Sequence, residues 1–324
     1  MDRREFLKSS LALAALSPLA GALGRAADAA EPPRAKVWFT PELTPEAVLR
    51  MYRALGTELP GKVAVKVHSG EKGNQNYLRP AFLRPTVEAV RGTVVECNTA
   101  YEGARNSTAE HRKLLAEHGW SELFDVDLMD AEGPDLELPV RDGKILKRNL
   151  VGKHLADYGS MLVLSHFKGH PMAGYGGALK QLSIGCASSR GKALIHSAGV
   201  TDDQTACWNH IAPQEAFGDA MAEAAGTVTE LFRGRMAFVN MMCNLSVDCD
   251  CCAVAEDPCM KDIGILASTD PVALDRACLD LILRSEDPGR EHFVERVNSR
   301  LGTRVIDTAA ARGIGSKQYE LIRG

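Results

Sequence analysis

Apolar residues in this chain gather in short runs that stop abruptly at polar, glycine-containing segments. Lys36 to Phe39, Lys62 to His68, Thr93 to Cys97, Asp125 to Met129, Met161 to Leu164, Arg235 to Met242 and Asp262 to Ala267 read as strands from their length and β-branched content. Helix signals lie between them. Thr44-Pro45-Glu46 supplies an N-cap and a first-turn proline for a helix to about Leu55, and a second helix is expected from Pro80 to Arg91. Ser107-Thr108-Ala109-Glu110 has capping-box spacing and opens a helix that stops before Gly119. Pro213 to Phe232 carries Ala216, Ala220 and Ala224 at helical spacing, Asp270-Pro271 caps a helix to about Leu283, and Glu291 to Leu301 forms another. Leu136 to Leu150, with Asp142-Gly143 at its centre, predicts a β-hairpin. The alternation of strand and helix predicts an α/β fold: a mainly parallel sheet flanked by helices, with an added antiparallel hairpin. The tail from Arg304 gives no pattern. No low-complexity linker interrupts the chain, so residues 30–324 read as a single α/β domain in which no subdomain boundary is assignable.

The most informative stretch runs from Ser160 to Lys192, where a buried strand empties into a segment of glycine, imidazole and ammonium groups. Ligands of α/β sheets bind beyond the carboxyl ends of the strands, which places a site here. His166, Lys168 and His170 are candidate catalytic groups, able to bind and protonate an oxyanion, or as neutral imidazoles to ligate a metal. Gly169 and Pro171 predict a loop around them. Lys180 and Lys192 are candidate anion binders, and His196 is a weaker candidate. His68 ends its own strand as His166 does, and if the two strands are parallel neighbours both histidines emerge on one sheet edge. Between Tyr101 and Asn106, Glu102 and Arg105 either reach a ligand or are solvated loop charges. Asp275 and Asp280 read as solvated or capping residues. Gly174-Tyr175-Gly176-Gly177 lacks the spacing of a nucleotide phosphate loop.

Five of the nine cysteines fall between Cys243 and Cys259. Clustered thiolates suit soft metals, yet the spacing is that of neither a ferredoxin nor a zinc ribbon. Cys249 and Cys251 lie two positions apart, so an extended segment points both sulfurs to one face. These two and Cys252 are candidate metal ligands, with Cys186 joining them from the central stretch. Disulfides between Cys243 and Cys259 or between Cys249 and Cys252 are the alternative. Cys97, Cys207 and Cys278 read as ordinary buried thiols.

Charge and length change this picture little. The 38 basic and 42 acidic residues nearly balance, with a sequence pI near 6.2, so nucleic acid is not an expected partner. The first residues matter more. Arg3-Arg4 precedes an apolar run from Leu11 to Leu23, and Ala27-Asp28-Ala29 offers a cleavage site, which together resemble a twin-arginine export signal over residues 1–29. The run falls short of the roughly twenty residues of a stable membrane anchor. The expectation is a periplasmic protein delivered by the twin-arginine translocase, a pathway that carries folded and often cofactor-loaded cargo.

Several of these motifs, in this order, resemble the DUF362 family. They are Lys66 to Asn74, Ser165 to His170, Gly176 to Lys180, Ile184 to Lys192, and Cys249-Asp250-Cys251 with Ile265 to Asp275. Family members are often labelled iron–sulfur centre proteins, and many carry a ferredoxin cassette after the position of His196. Here Ser197 to Phe232 contains Cys207 alone, so the cassette is absent. The resemblance implies an iron–sulfur cluster or another soft metal ion held by Cys186, Cys249 and Cys251, beside a pocket of His166, Lys168 and His170. Three readings stay open: an exported metal or iron–sulfur protein with a redox role, a metal-free enzyme acting on a small carboxylate or phosphate, or a non-catalytic binding protein. Substrate and redox partner are not indicated by the sequence.

Overall fold

The computed structural model describes residues 34–324; the stretch read as an export signal lies outside the described residues. In chain order the elements are β1 Ala35–Thr40, α1 Pro45–Ala54, β2 Val63–Lys66, α2 Pro80–Ala89, β3 Thr93–Glu96, α3 Thr108–Glu117, α4 Trp120–Leu123 and β4 Val126–Leu128. A hairpin of β5 Leu136–Pro139 and β6 Arg148–Val151 follows, then the central strand β7 Ser160–His166. After it come β8 Lys168–His170, β9 Gly174–Gly176, α5 Ala178–Lys180, α6 Ser189–His196, α7 Gln214–Leu231, β10 Met236–Met242 and β11 Gly264–Ser268. The chain closes with α8 Pro271–Arg284, α9 Arg290–Ser299, α10 Arg304–Ala311 and β12 Tyr319–Arg323.

The main sheet has eight strands in the order β12-β1-β11-β10-β7-β2-β3-β4. All pairings are parallel except the two that β11 makes, to β1 and β10. The α/β class with antiparallel hairpins is therefore the observed fold. The tail that gave no sequence pattern forms α10 and the edge strand β12, which pairs with β1 from Ala35 opposite Tyr319 onward. Nothing local to that segment encodes this pairing.

Alternation of side chains along the strands divides the core into two layers. Val65, Val94, Leu162, Leu164, Val239 and Ile265 pack against α1, α2 and α4, whereas Val95, Met161, Val163, Phe238 and Leu266 pack against the later helices α5 to α10. The caps read from sequence form: Thr44 accepts from the Ala47 N–H, Ser107 from Glu110, and Asp270 from Val272 and Ala273. Asp275 differs from the solvated role expected of it. It is fully buried, and its carboxylate accepts from Ala178 N, Leu179 N, Tyr175 Oη and Asn240 Nδ2 at 2.8–3.1 Å. It thereby fastens the start of α5 to β10 and α8. Its helical neighbours gave no sign of this, because three of the four donors lie about a hundred positions upstream and the fourth, Asn240, lies 35 upstream.

Strand order reverses between β2 and β7. β2, β3 and β4 step one way across the sheet, while β7 and β10 step the other. The crossovers on the two sides leave a crevice above the carboxyl ends of β2 and β7, the usual ligand position of such sheets. Its floor is ionic. Lys66 Nζ, at the end of β2, donates to Glu96 Oε2 at 2.6 Å, at the end of β3, and both side chains are buried. Ser69 N and Oγ donate to the other Glu96 oxygen, and the Arg105 guanidinium lies 3.8 Å from it while pairing with Glu71 at 3.1 Å. Burial raises the Glu96 carboxyl, but the Lys66 and Arg105 charges outweigh it and hold the group at about 2.

A carboxylate depressed in the folded state stabilises fully above its unfolded value and loses that contribution as pH falls through the folded one. Glu96 therefore predicts a loss of about 3 kcal/mol between pH 4.5 and about 2. Glu96→Gln should remove this slope and cost about 3–5 kcal/mol at pH 7, since Lys66 is left buried without its partner. Denaturant titrations of both proteins across that pH range measure it.

Candidate functional site

The cysteine loop after β10 has little regular structure of its own and is held by its neighbours. Cys252 N donates to Cys249 O at 2.9 Å, so the motif forms a turn and not the extended segment expected from its spacing. The convergence of Cys249 and Cys251 comes from that turn. The segment after β2 straps it from one side: Glu71 N donates to Asp250 O at 2.8 Å, and Asn74 Nδ2 donates to Cys249 O and Cys252 O at 3.3 and 2.8 Å. Tyr101 Oη reaches Cys251 O at 3.3 Å. On the other side Gly169 N donates to Ser246 O, and a Cβ at position 169 would stand 2.3 Å from Val247 O, a closeness only glycine permits.

Between the two cysteines, Asp250 points the opposite way, into the end of the central strand. Its carboxylate lies 2.9 and 3.0 Å from His166 Nδ1 and 2.7 Å from Lys168 Nζ, with all three side chains buried. His166 Nε2 faces Cys243 O at 2.6 Å. Both ring nitrogens thus face acceptors, an arrangement matched by a ring carrying both protons. Burial raises the Asp250 carboxyl, and the His166 and Lys168 charges bring it below its ordinary value. The result is a closed ionic cluster that fixes the cysteine turn to β7 and β8. His166 and Lys168 are therefore not lining a pocket as expected from sequence: their charges are spent on Asp250. Lys168 to His170 is also not a loop, because Gly169 and His170 pair with Tyr175 and Gly174 in the β8–β9 hairpin.

The opposite side of the turn carries the sulfurs. His170, Cys249 and Cys251 place a ligand atom each within 4.8 Å of one another. His170 Nε2 is 3.6 Å from Cys251 Sγ, Cys251 N donates to Cys249 Sγ at 3.4 Å, and Lys180 Nζ approaches Cys249 Sγ at 3.8 Å. His170 Nδ1 accepts from Met172 N and Ala173 N at 3.0 and 2.9 Å. The proton of the neutral ring consequently sits on Nε2, facing sulfur. Burial raises the Cys249 thiol, but its hydrogen bond with Cys251 and the nearby Lys180, His170 and Lys168 hold it well below the usual thiol range. Cys251, hydrogen-bonded to the thiols of Cys249 and Cys252, is pushed up. Of the two sulfurs, Cys249 is the one whose surroundings favour the thiolate.

Beside the sulfurs, at the β2/β7 reversal, opens a cavity of about 180 Å³. Of the residues singled out by sequence, His68, His170, Lys180, Lys192, His196 and Cys251 line it. His68 and His166 do leave neighbouring parallel strands on one edge, yet only His68 reaches the cavity. Arg105 lines it too and is buried, whereas Glu102 is exposed. Lys180 ends α5 and caps the π-helical turn Gln181–Gly185 that follows, and a Cβ at Gly185 would meet Lys66 Cε at 2.9 Å. Cys186, expected as a third sulfur ligand, is not brought to Cys249. It sits at the end of that turn, buried, its carbonyl accepting from Cys97 Sγ, and burial pushes its thiol up to about 11. The position foreseen for it is taken by His170. All nine cysteines are unpaired, so neither disulfide alternative is present, and Cys97, Cys207 and Cys278 are buried thiols as expected. Asp250 and Tyr101 escaped the sequence reading. The signal for Asp250 was a carboxylate between two cysteines opposite a strand ending in His-Phe-Lys.

Comparison with known proteins adds a family. No curated protein matches the chain in sequence. Among solved structures, the lactate racemase apoprotein from Thermoanaerobacterium thermosaccharolyticum is similar at 12% identity and a TM-score of 0.40, over 64% of this chain and 50% of that one. A protein from Thermotoga maritima is similar at 13% identity and a TM-score of 0.42, over 84% of this chain and 60% of that one. The chain spans less than two thirds of the length of either. Residues 63–280 match the family described as Domain of unknown function (DUF362), a stretch that holds the strapping segment, the central hairpin, the lysines and the cysteine turn; the chain belongs to the DUF362 family.

Proposed function

We propose that the turn at Cys249 and Cys251 binds a soft metal ion. The observation that carries this reading is the convergence of the Cys249 and Cys251 sulfurs within 4.8 Å of each other, with the His170 imidazole placed as close beside them. Sulfur is polarisable and suits ions such as Cu(I), Zn(II) or iron, and the thiolate is the ligating form. Cys249 already has that form favoured by Lys180 and by the Cys251 N–H. The sulfurs are the primary donors. His170 Nδ1 is taken by two backbone N–H groups, so its Nε2–H hydrogen-bonds sulfur and stabilises the charge there. Cys252, whose thiol hydrogen-bonds that of Cys251, is the next thiol in the turn. An all-cysteine cluster uses four thiolates, more than this turn offers, which favours a single ion over an iron–sulfur cluster. When bound, such an ion supplies Lewis acidity or electron transfer at the mouth of the cavity. We extend the proposal to export in the folded, metal-loaded state by the twin-arginine translocase. Arg3-Arg4 and the apolar run after it support that extension.

Metal analysis of protein purified without oxygen should give about one equivalent of a transition metal, falling at least tenfold in Cys249→Ser and in Cys251→Ser. His170→Ala should retain metal while shifting the thiolate-to-metal absorption of the Co(II) or Cu(I) form. A folded wild-type protein that holds no metal and takes up neither Zn(II) nor Cu(I) overturns the reading.

The Asp250 cluster generates a second expectation. Asp250→Asn leaves Lys168 and His166 buried without their counter-charge and should cost about 3–5 kcal/mol in denaturant titrations. Because the same residue orients the turn, metal affinity should fall about 10–100-fold. Unchanged affinity in a destabilised protein would show that the cluster serves the fold alone.

A further inference from the structure

We infer that the cavity at the β2/β7 reversal binds a small organic anion, a carboxylate or a phosphate monoester, between Lys180 and Lys192. The inference stands on the charge balance of the cavity wall and does not depend on metal binding. Four cationic side chains line the cavity. Two are neutralised from within the protein, Lys66 by Glu96 and Arg105 by Glu71. The other two have no carboxylate partner among the described residues. Lys192 is 6% exposed, and its ammonium donates only to the carbonyl of Ala187 at 2.6 Å. Lys180 Nζ has only Cys249 Sγ, at 3.8 Å.

The Lys192 ammonium, held in a buried site without a carboxylate, is costly, while Lys180 is partly exposed and already faces the Cys249 sulfur; an anionic ligand between them supplies the charge that Lys192 lacks and takes a second contact from Lys180. The rest of the lining defines the ligand's body. Ala100, Met172, Ile184 and Trp208 give an apolar surface, with the Trp208 indole fixed by its Nε1–H to Ala100 O at 3.2 Å. His68 and Gln181 add hydrogen-bonding groups suited to a hydroxyl or a second oxygen. Size sets the scale, since a cavity of about 150 Å³ holds benzene. A volume of about 180 Å³ admits a body of that order carrying one anionic group. A nucleotide is too large, and an inorganic ion alone leaves the apolar wall uncovered.

Titration calorimetry at low ionic strength tests this with benzoate, phenyl phosphate and inorganic phosphate, and with benzamide as the neutral analogue. Wild-type protein is measured as purified and after chelator treatment, so that loss of metal and loss of anion binding are read separately. At least one organic anion should bind about tenfold or more tightly than benzamide in both samples, and about tenfold more weakly to Lys180→Met and to Lys192→Met. Preference for benzoate assigns a carboxylate, preference for phenyl phosphate a phosphate monoester. If Lys192→Met does not fold, Lys180→Met, at a partly exposed position, decides alone. No organic anion binding better than benzamide or inorganic phosphate, or unaltered binding in the lysine variants, overturns the inference.

Discussion

Asp250 is the residue on which the arrangement of the site depends. Its carboxylate, buried between His166 and Lys168, ties an irregular loop to the carboxyl end of the central strand. The loop's internal hydrogen bonds form separate turns and not a continuous ladder, and a buried charge that must find its partners adds a constraint on their common geometry. Because side chains on either side of Asp250 point away from it, placing the carboxylate places both sulfurs. The cluster acts on the chemistry through position, at a distance from the cavity itself.

Around that cluster the molecule separates charges that compensate one another from charges that do not. Lys66 with Glu96, Arg105 with Glu71, and His166 and Lys168 with Asp250 form closed sets beneath and beside the crevice. Such buried sets contribute little net stability and much definition, since breaking one strands a charge. Lys180 and Lys192 lie outside these sets and face open volume. The same residue type is thus compensated within the fold in one place and left without a carboxylate at a cavity wall in another.

The thiol pair shows a similar division. Cys97, Cys186 and Cys278 are buried in surroundings that push their thiols up, which makes them packing residues. Cys249 is equally buried, yet an ammonium and a backbone N–H converge on it with the His170 imidazole nearby. Burial alone does not decide the state of a thiol; the donors that accompany it do.

Most strand and helix positions before residue 304, the caps at Thr44, Ser107 and Asp270 and the α/β class were legible in the sequence, because each is set by local periodicity or by turn chemistry over a few residues; the β8–β9 hairpin, α10 and β12 were not. The motifs around His68, His170, Lys180 and Cys249 also marked residues that do meet at one sheet edge. What the sequence left undecided was partnership. His166 and His170 are four positions apart, and only the fold shows that one is committed to Asp250 while the other faces sulfur. Cys186 and Cys251 were equivalent as thiols until the π-helical turn carried one away from the cysteine loop. The antiparallel insertion of β11 and the pairing of β12 with β1 joined segments far apart in sequence. Those outcomes depend on which charges and backbone groups lie within about 3 Å in space, a quantity that residue spacing does not contain.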